Sequence, residues 1–248
     1  METPVPLRNL LTRDVIVASA NYSILGLVDI GFRTLQPVFL STPVALGGLG
    51  LDPPVIGTIM SFLGVLNGVC NVFFFSRMAD YFGVRTVYLM GVTASVPCFS
   101  LFPIINYLAR NSVERSGGLG AEVLAAVGLQ VVTAVMTNLC YGASAPKKLN
   151  YPLNCFRFLP VPAAVSVFIA AAAPNKVTLG ATNGLAQLSG AAVRAVGPAL
   201  VSSIYSLSID EDHHYMDGAL VYYVTVAIGF GAIWVGSLLP RHPWKDMN

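Results

Sequence analysis

The chain has 248 residues, of which 55% are hydrophobic and only 10% charged, and its mean hydropathy is +0.69. That composition leaves too little polar surface for a soluble domain of this length. The formal net charge of +2 is too small to argue for nucleic acid, and no basic-aromatic groove or run of like charge supplies such a partner.

Six apolar stretches are each long enough to cross a bilayer: 15–40, 55–75, 86–108, 121–145, 178–206 and 220–239. About 20 apolar residues rising 1.5 Å each match a hydrocarbon core of roughly 30 Å, and backbone in lipid must satisfy its own hydrogen bonds as helix. The expected class is therefore an all-α polytopic membrane protein with six transmembrane helices, residues 1–248 forming one bundle with the lipid bilayer as its main partner.

The first stretch follows Arg8 and Arg13 and carries Asp29 and Arg33 four residues apart, so the two share a helix face and can pair along it. An ionisable group near the bilayer centre costs about 2.5–3.5 kcal/mol and is seldom kept without a partner or a task. The pair reads as a gate or proton-coupling site, or as a static ion pair near the outer interface. Gln36 and Pro37 follow it. The loop 43–54 has no Lys or Arg. In the second stretch Asn67 and Asn71 lie one turn apart, facing a cavity or neighbouring helices. A short charged connection with Arg77, Asp80 and Arg85 comes next, and Gly83 permits a tight turn in it.

The third and sixth stretches are nearly free of polar side chains apart from Ser, Thr and Tyr, whereas the first, second and fifth carry Asn, Gln, Asp and Arg. Polar groups in a bundle face protein or a water-filled cavity, so the first, second and fifth are expected to line a polar path and the third and sixth to face lipid. After the fourth stretch, residues 143–166 hold Pro146, Pro152, Pro160 and Pro162 with Lys147, Lys148 and Arg157. Four prolines preclude a regular helix. Joining Gly142 directly to Val167 restores one continuous span ending before Pro174. The codons of Gly142-Ala143-Ser144 can carry a splice donor and those of Val165-Ser166 an acceptor, so 143–166 is read as a translated intron, with a cytoplasmic loop as the alternative; sequencing the transcript decides.

In the fifth stretch Asn183, Gln187 and Arg194 recur at spacings of four and seven, one stripe of a helix. That stripe reads as a cavity wall or as an interhelical hydrogen-bonding seam, since Gly184, Ser189 and Gly190 equally suit close packing. Gly197-Pro198 is expected to kink the helix. The following loop holds Asp210, Glu211, Asp212, His213, His214 and Asp217. Adjacent histidines on a loop lack the ligand spacing of a metal site, so no metal is expected there. No phosphate-binding loop or nucleophile elbow is present, so neither catalysis nor a cofactor is expected.

Arg8, Arg13, Arg77, Arg85, Lys147, Lys148, Arg157, Lys176, Arg241 and Lys245 fall on one side of a six-span topology. Asp52, the mixed loop with Arg110, Glu114 and Arg115, and the acidic run from Asp210 fall on the other. By the positive-inside rule both termini are cytoplasmic. No signal peptide is recognisable at the N-terminus. Cys70, Cys98 and Cys140 lie in spans and Cys155 beyond the fourth, without metal-ligand spacing.

Two segments carry a resemblance. Ser76-Arg77-Met78-Ala79-Asp80-Tyr81-Phe82-Gly83-Val84-Arg85 resembles the cytoplasmic loop motif of the major facilitator superfamily. The run from Ala173-Pro174-Asn175-Lys176 through Gly180, Asn183 and Gln187 to Arg194-Ala195-Val196-Gly197-Pro198 is similar to the eleventh helix of its fungal drug-transporter-like members. Asp29, Arg33 and Gln36-Pro37 resemble that group's seventh helix. The resemblance covers nearly the whole chain as the C-terminal six-helix half of a twelve-helix fold, with the first six helices missing. It implies that the Arg77–Arg85 loop staples helices in one transport state. It also makes the first and fifth helices neighbours; Asp29 and Arg194 lie roughly 21 and 24 Å above their helix starts, so an Asp29–Arg194 bridge competes with Asp29–Arg33. The function it implies is one lobe of a secondary active or facilitative small-solute transporter, inactive without an N-terminal lobe or a second copy. The alternative is a truncated, non-transporting membrane or interaction protein.

Overall fold

The computed structural model describes residues 11–116, 118, 120–138, 163–209 and 218–239. Outside the described residues lie Arg8, Cys140, Cys155, Lys147, Lys148, Arg157, Arg241, Lys245, the loop Asp210 to Asp217 and most of 143–166.

Among the described residues all regular structure is helical. Helix α1 spans Arg13–Ser41 and begins at Thr12, whose hydroxyl accepts from the Val15 N–H while Asp14 sits in the positive first turn. It ends at Thr42, and a 3-10 turn Val44–Leu46 leads to Gly47, which takes a left-handed φ of 103°. Helix α2, Pro53–Cys70, starts on prolines, which need no N–H partner there. A π-helical turn Asn71–Phe75 carries it into the short α3, Ser76–Phe82. Gly83 then turns the chain at φ 83°, where a side chain is strained. Next come α4, Val84–Ser116, α5, Ala121–Asn138, and α6, Ala163–Ala172. The last four positions of the proline-rich segment are thus helical. A reciprocal cap between Asn175 and Thr178 precedes α7, Leu179–Ser208, and α8 spans Leu220–Ser237.

Five of these helices are long and apolar enough to cross a membrane: α1, α2, α4, α5 and α8. Helix α7 differs from expectation. Its 30 residues suffice in length, at roughly 45 Å, but Thr182, Asn183, Gln187, Ser189 and Arg194 among glycines and alanines keep it below the apolar content of the other five.

The core forms where α1 packs between α7, α6 and α8, with α4 against α5 and α8. Phe39 of α1, Phe102 of α4 and Tyr222 of α8 meet there. The Phe102 and Tyr222 rings stack at 5.2 Å, and Phe39 meets Phe102 edge-on at 4.9 Å. The expectation that the third span faces lipid does not hold. Tyr88, Val92, Ser95, Phe99, Phe102, Asn106 and Ala109 are all buried, and their alternating spacing of four and three makes one stripe of α4 the floor of the bundle. Met90, Ile104 and Tyr107 occupy its outer face. A side-chain count over the whole helix cannot separate two faces. Helix α2, expected to line the path, is largely open, with only 6% of its span buried within the described bundle.

Two ends of the bundle are tied separately. At one, Arg85 Nη2 donates to the Ser237 carbonyl at 2.8 Å. Near it the fully buried Asn21 donates to the Val17 and Val235 carbonyls and accepts from the Tyr88 hydroxyl. At the other end, Asn106 donates to the Val44 and Gly48 carbonyls and Arg110 Nη2 to Ala45. The Tyr205 hydroxyl there donates to Thr42 Oγ1 at 2.9 Å. Gly48 admits no side chain, since a Cβ would lie 2.5 Å from the Phe39 carbonyl oxygen.

Candidate functional site: a polar wall on α1 and α7

Helices α1 and α7 approach closely because small residues stand at their crossing. A Cβ on Gly197 would come within 2.6 Å of Ile30, and one on Gly190 within 2.6 Å of the Tyr22 ring. Tyr22 fills the space that Gly190 leaves and is 3% exposed. Its hydroxyl donates to Gln187 Oε1 at 2.8 Å and accepts from Arg194 Nη2 at 3.2 Å. With the phenol hydrogen given to its oxygen, Gln187 keeps its amide hydrogens for other partners. The Arg194 guanidinium carbon also lies 5.2 Å from the Tyr22 ring centroid, within cation–π range.

Asp29 and Arg33 pair as their spacing requires, with Nε donating to Oδ1 at 2.8 Å. The Arg33 side chain is 65% exposed and that of Asp29 22%. Asp29 also lines a crevice of about 10 Å³, room for about one water, together with Ser95, Cys98 and Thr137 between α1, α4 and α5.

The Asp29–Arg194 bridge is not formed; Asp29–Arg33 is the one ion pair among the described residues. The register explains it. Gly190 faces Tyr22 and Gly197 faces Ile30 and Leu27, so Arg194 stands level with Gly26, whose added Cβ would lie 3.9 Å from its Nε. Helical side chains lean toward the helix N-terminus, which carries Arg194 toward Tyr22 and away from Asp29.

The remaining expected site residues divide between the wall and its surroundings. Asn183 is exposed on α7, and Gln36 is buried at 5% exposure without a hydrogen bond to either cluster. Gly197 is buried at the crossing, and α7 continues through Pro198. In the loop, Arg77 is exposed, Asp80 lies on α3, Gly83 makes the left-handed turn, and Arg85 caps the C-terminal end of α8. Asn71 donates to the Asn67 carbonyl beside the π-helical turn, and the side-chain oxygens of both are buried without a partner among the described residues. Tyr22, Asn21 and Asn106 were not singled out in the sequence. A tyrosine in an apolar helix reads as packing, and only the glycine opposite it in space discloses its place. No three His, Cys, Asp or Glu residues gather to hold a metal ion among the described residues.

Long apolar helices joined by buried polar contacts define the chain as an all-α polytopic integral membrane protein. No protein-family model matches it, and no solved structure does. Among curated proteins it is 22% identical over 240 residues to the major facilitator superfamily multidrug transporter mfsB of Aspergillus fumigatus, covering 93% of the chain and 35% of that transporter. It is 24% identical over 207 residues to the major facilitator-type transporter psiT2 of Psilocybe cyanescens, covering 84% and 36%. The chain is thus similar to two major facilitator transporters and spans about a third of the length of each.

Proposed function

We propose that the chain is the C-terminal six-helix lobe of a secondary active or facilitative small-solute transporter that works by alternating access and is not an enzyme. The observation that carries this reading is the polar wall of α1 and α7. Asp29, Arg33, Gln187 and Arg194 are partly or largely exposed on helices long enough to cross a bilayer, and such groups are kept where they meet a cavity or another protein surface. Two lobes that rock about a midplane site supply such a cavity. The second lobe is an N-terminal six-helix unit or another copy of this chain, and one lobe alone is inactive. Asp29 is the proton-coupling candidate, since it is the one carboxylate on this wall among the described residues. The termini and the loop holding Arg77 and Arg85 are cytoplasmic by the positive-inside rule.

Proteoliposomes test the reading. A monomer of the chain should carry no solute flux, and pairing it with a six-helix N-terminal lobe or a second copy should restore it. Robust uptake by a demonstrated monomer would defeat the half-cavity view. No flux with either lobe arrangement would favour a non-transporting membrane protein.

A further inference from the structure

We propose that Arg194, with Gln187 beside it, receives the anionic end of the transported solute, a carboxylate or phosphate group; this rests on the transporter reading. The argument starts from charge. The wall's one carboxylate, Asp29, is already paired with Arg33, so that pair is neutral. Arg194 has no carboxylate among the described residues; it has the hydroxyl and ring face of Tyr22. A neutral phenol orients a guanidinium without cancelling its charge. Tyr22 also takes the Gln187 oxygen, which leaves the Gln187 amide hydrogens and the remaining Arg194 N–H groups as donors on one face of α7. Donors alone around a net positive charge fit an oxyanion, which a planar guanidinium can hold through two parallel hydrogen bonds. The acceptors beside Arg194, the Gln187 oxygen and the Tyr22 hydroxyl, each already take one hydrogen bond.

Depth separates a solute from a lipid headgroup. Arg194 is the sixteenth of the 30 residues of α7, roughly 22 Å from either end, whereas the headgroups begin about 15 Å from the bilayer centre. A lipid phosphate does not reach that level. A solute in a midplane cavity does.

The test uses the full chain in lipid nanodiscs and three probes of similar shape: benzoate, benzyl alcohol and benzylamine, read by saturation-transfer NMR titration. Benzoate should bind saturably and at least about ten-fold more tightly than either of the others, as expected for charge-assisted hydrogen bonds. Arg194→Gln should abolish that preference and Arg194→Lys should weaken it, while Arg115→Gln, an exposed arginine on α4, should leave it unchanged. Thermal unfolding checks that each variant is folded. If Arg194→Gln does not fold, the preference of the native chain among the three probes decides. Equal binding of all three, undiminished benzoate binding by folded Arg194→Gln, or no saturation by benzoate at roughly 10 mM would overturn the proposal. Arg194-dependent benzoate binding without any flux when the second lobe is supplied would instead defeat the transporter reading and leave the anion site standing.

Discussion

Tyr22 can occupy the α1–α7 crossing because position 190 has no side chain, and the pair makes a measurable demand. Gly190→Ala places a Cβ 2.6 Å from Tyr22 Cδ1, and the ring cannot move without releasing Gln187 and Arg194. Overpacking of this kind costs about 1–3 kcal/mol, so the variant should unfold at a lower temperature in detergent. Gly184→Ala on the same helix meets nothing within 4 Å and should hold or slightly gain stability through helix propensity. Equal melting of the two variants would remove the crossing from the account. Asp29 predicts the opposite balance. Its partner Arg33 is 65% exposed, and exposed ion pairs contribute about 0–1 kcal/mol. Asp29→Asn should therefore fold with little loss, and in a reconstituted two-lobe transporter it should abolish pH-driven transport, because the amide keeps the size but not the titratable charge. A large stability loss restored by adding Arg33→Gln would show a structural pair instead. Normal stability with normal pH dependence would exclude both roles.

At the scale of elements, Arg85 links the start of α4 to the end of α8 by donating to the Ser237 carbonyl, where unsatisfied carbonyls and the negative end of the helix dipole favour a cation. Arg85→Gln should cost about 0.5–1 kcal/mol and speed amide exchange in the last turn of α8 more than in its first. Uniform exchange along α8 would show that the contact does not hold the helix end. Residue spacing revealed this much in advance: the all-α membrane class, the i,i+4 pair of Asp29 and Arg33, and the tight turn at Gly83 are local facts that need no partner. What spacing did not reveal depends on register between helices. The level of Arg194 follows from Gly190 against Tyr22 and Gly197 against Ile30, and nothing local to α7 sets it. The placing of α4 failed for a related reason. Its polar residues are few, but Ser95 and Asn106 lie on the buried stripe, where Asn106 reaches across to hold the Val44 and Gly48 carbonyls.

The whole molecule has two distinguishable ends, and their sidedness is the largest-scale claim the chain makes. Arg85 and Ser237 meet at one end; Val44, Ala45, Asn106 and Arg110 meet at the other. A helix of 29 residues, α1, separates them, more than a bilayer core requires. The two ends must therefore lie on opposite faces of the membrane if α1 crosses it. The orientation proposed above rests on the positive-inside rule: it puts Arg13, Arg77 and Arg85 at the cytoplasmic end, while Arg110 and Arg115 at the far end are accompanied by Glu114. Two positions report this without disturbing either end. Tyr81 on α3 is 84% exposed, and Ala45 in the 3-10 turn is exposed as well. In a background with the native cysteines replaced, Ala45→Cys should react with a membrane-impermeant maleimide on intact cells. Tyr81→Cys should react only after the membrane is opened. The reverse pattern would turn the molecule over and place the Arg77–Arg85 loop outside. Labelling of both positions from the same side would go further, since α2, the helix that joins them, could not then cross the bilayer.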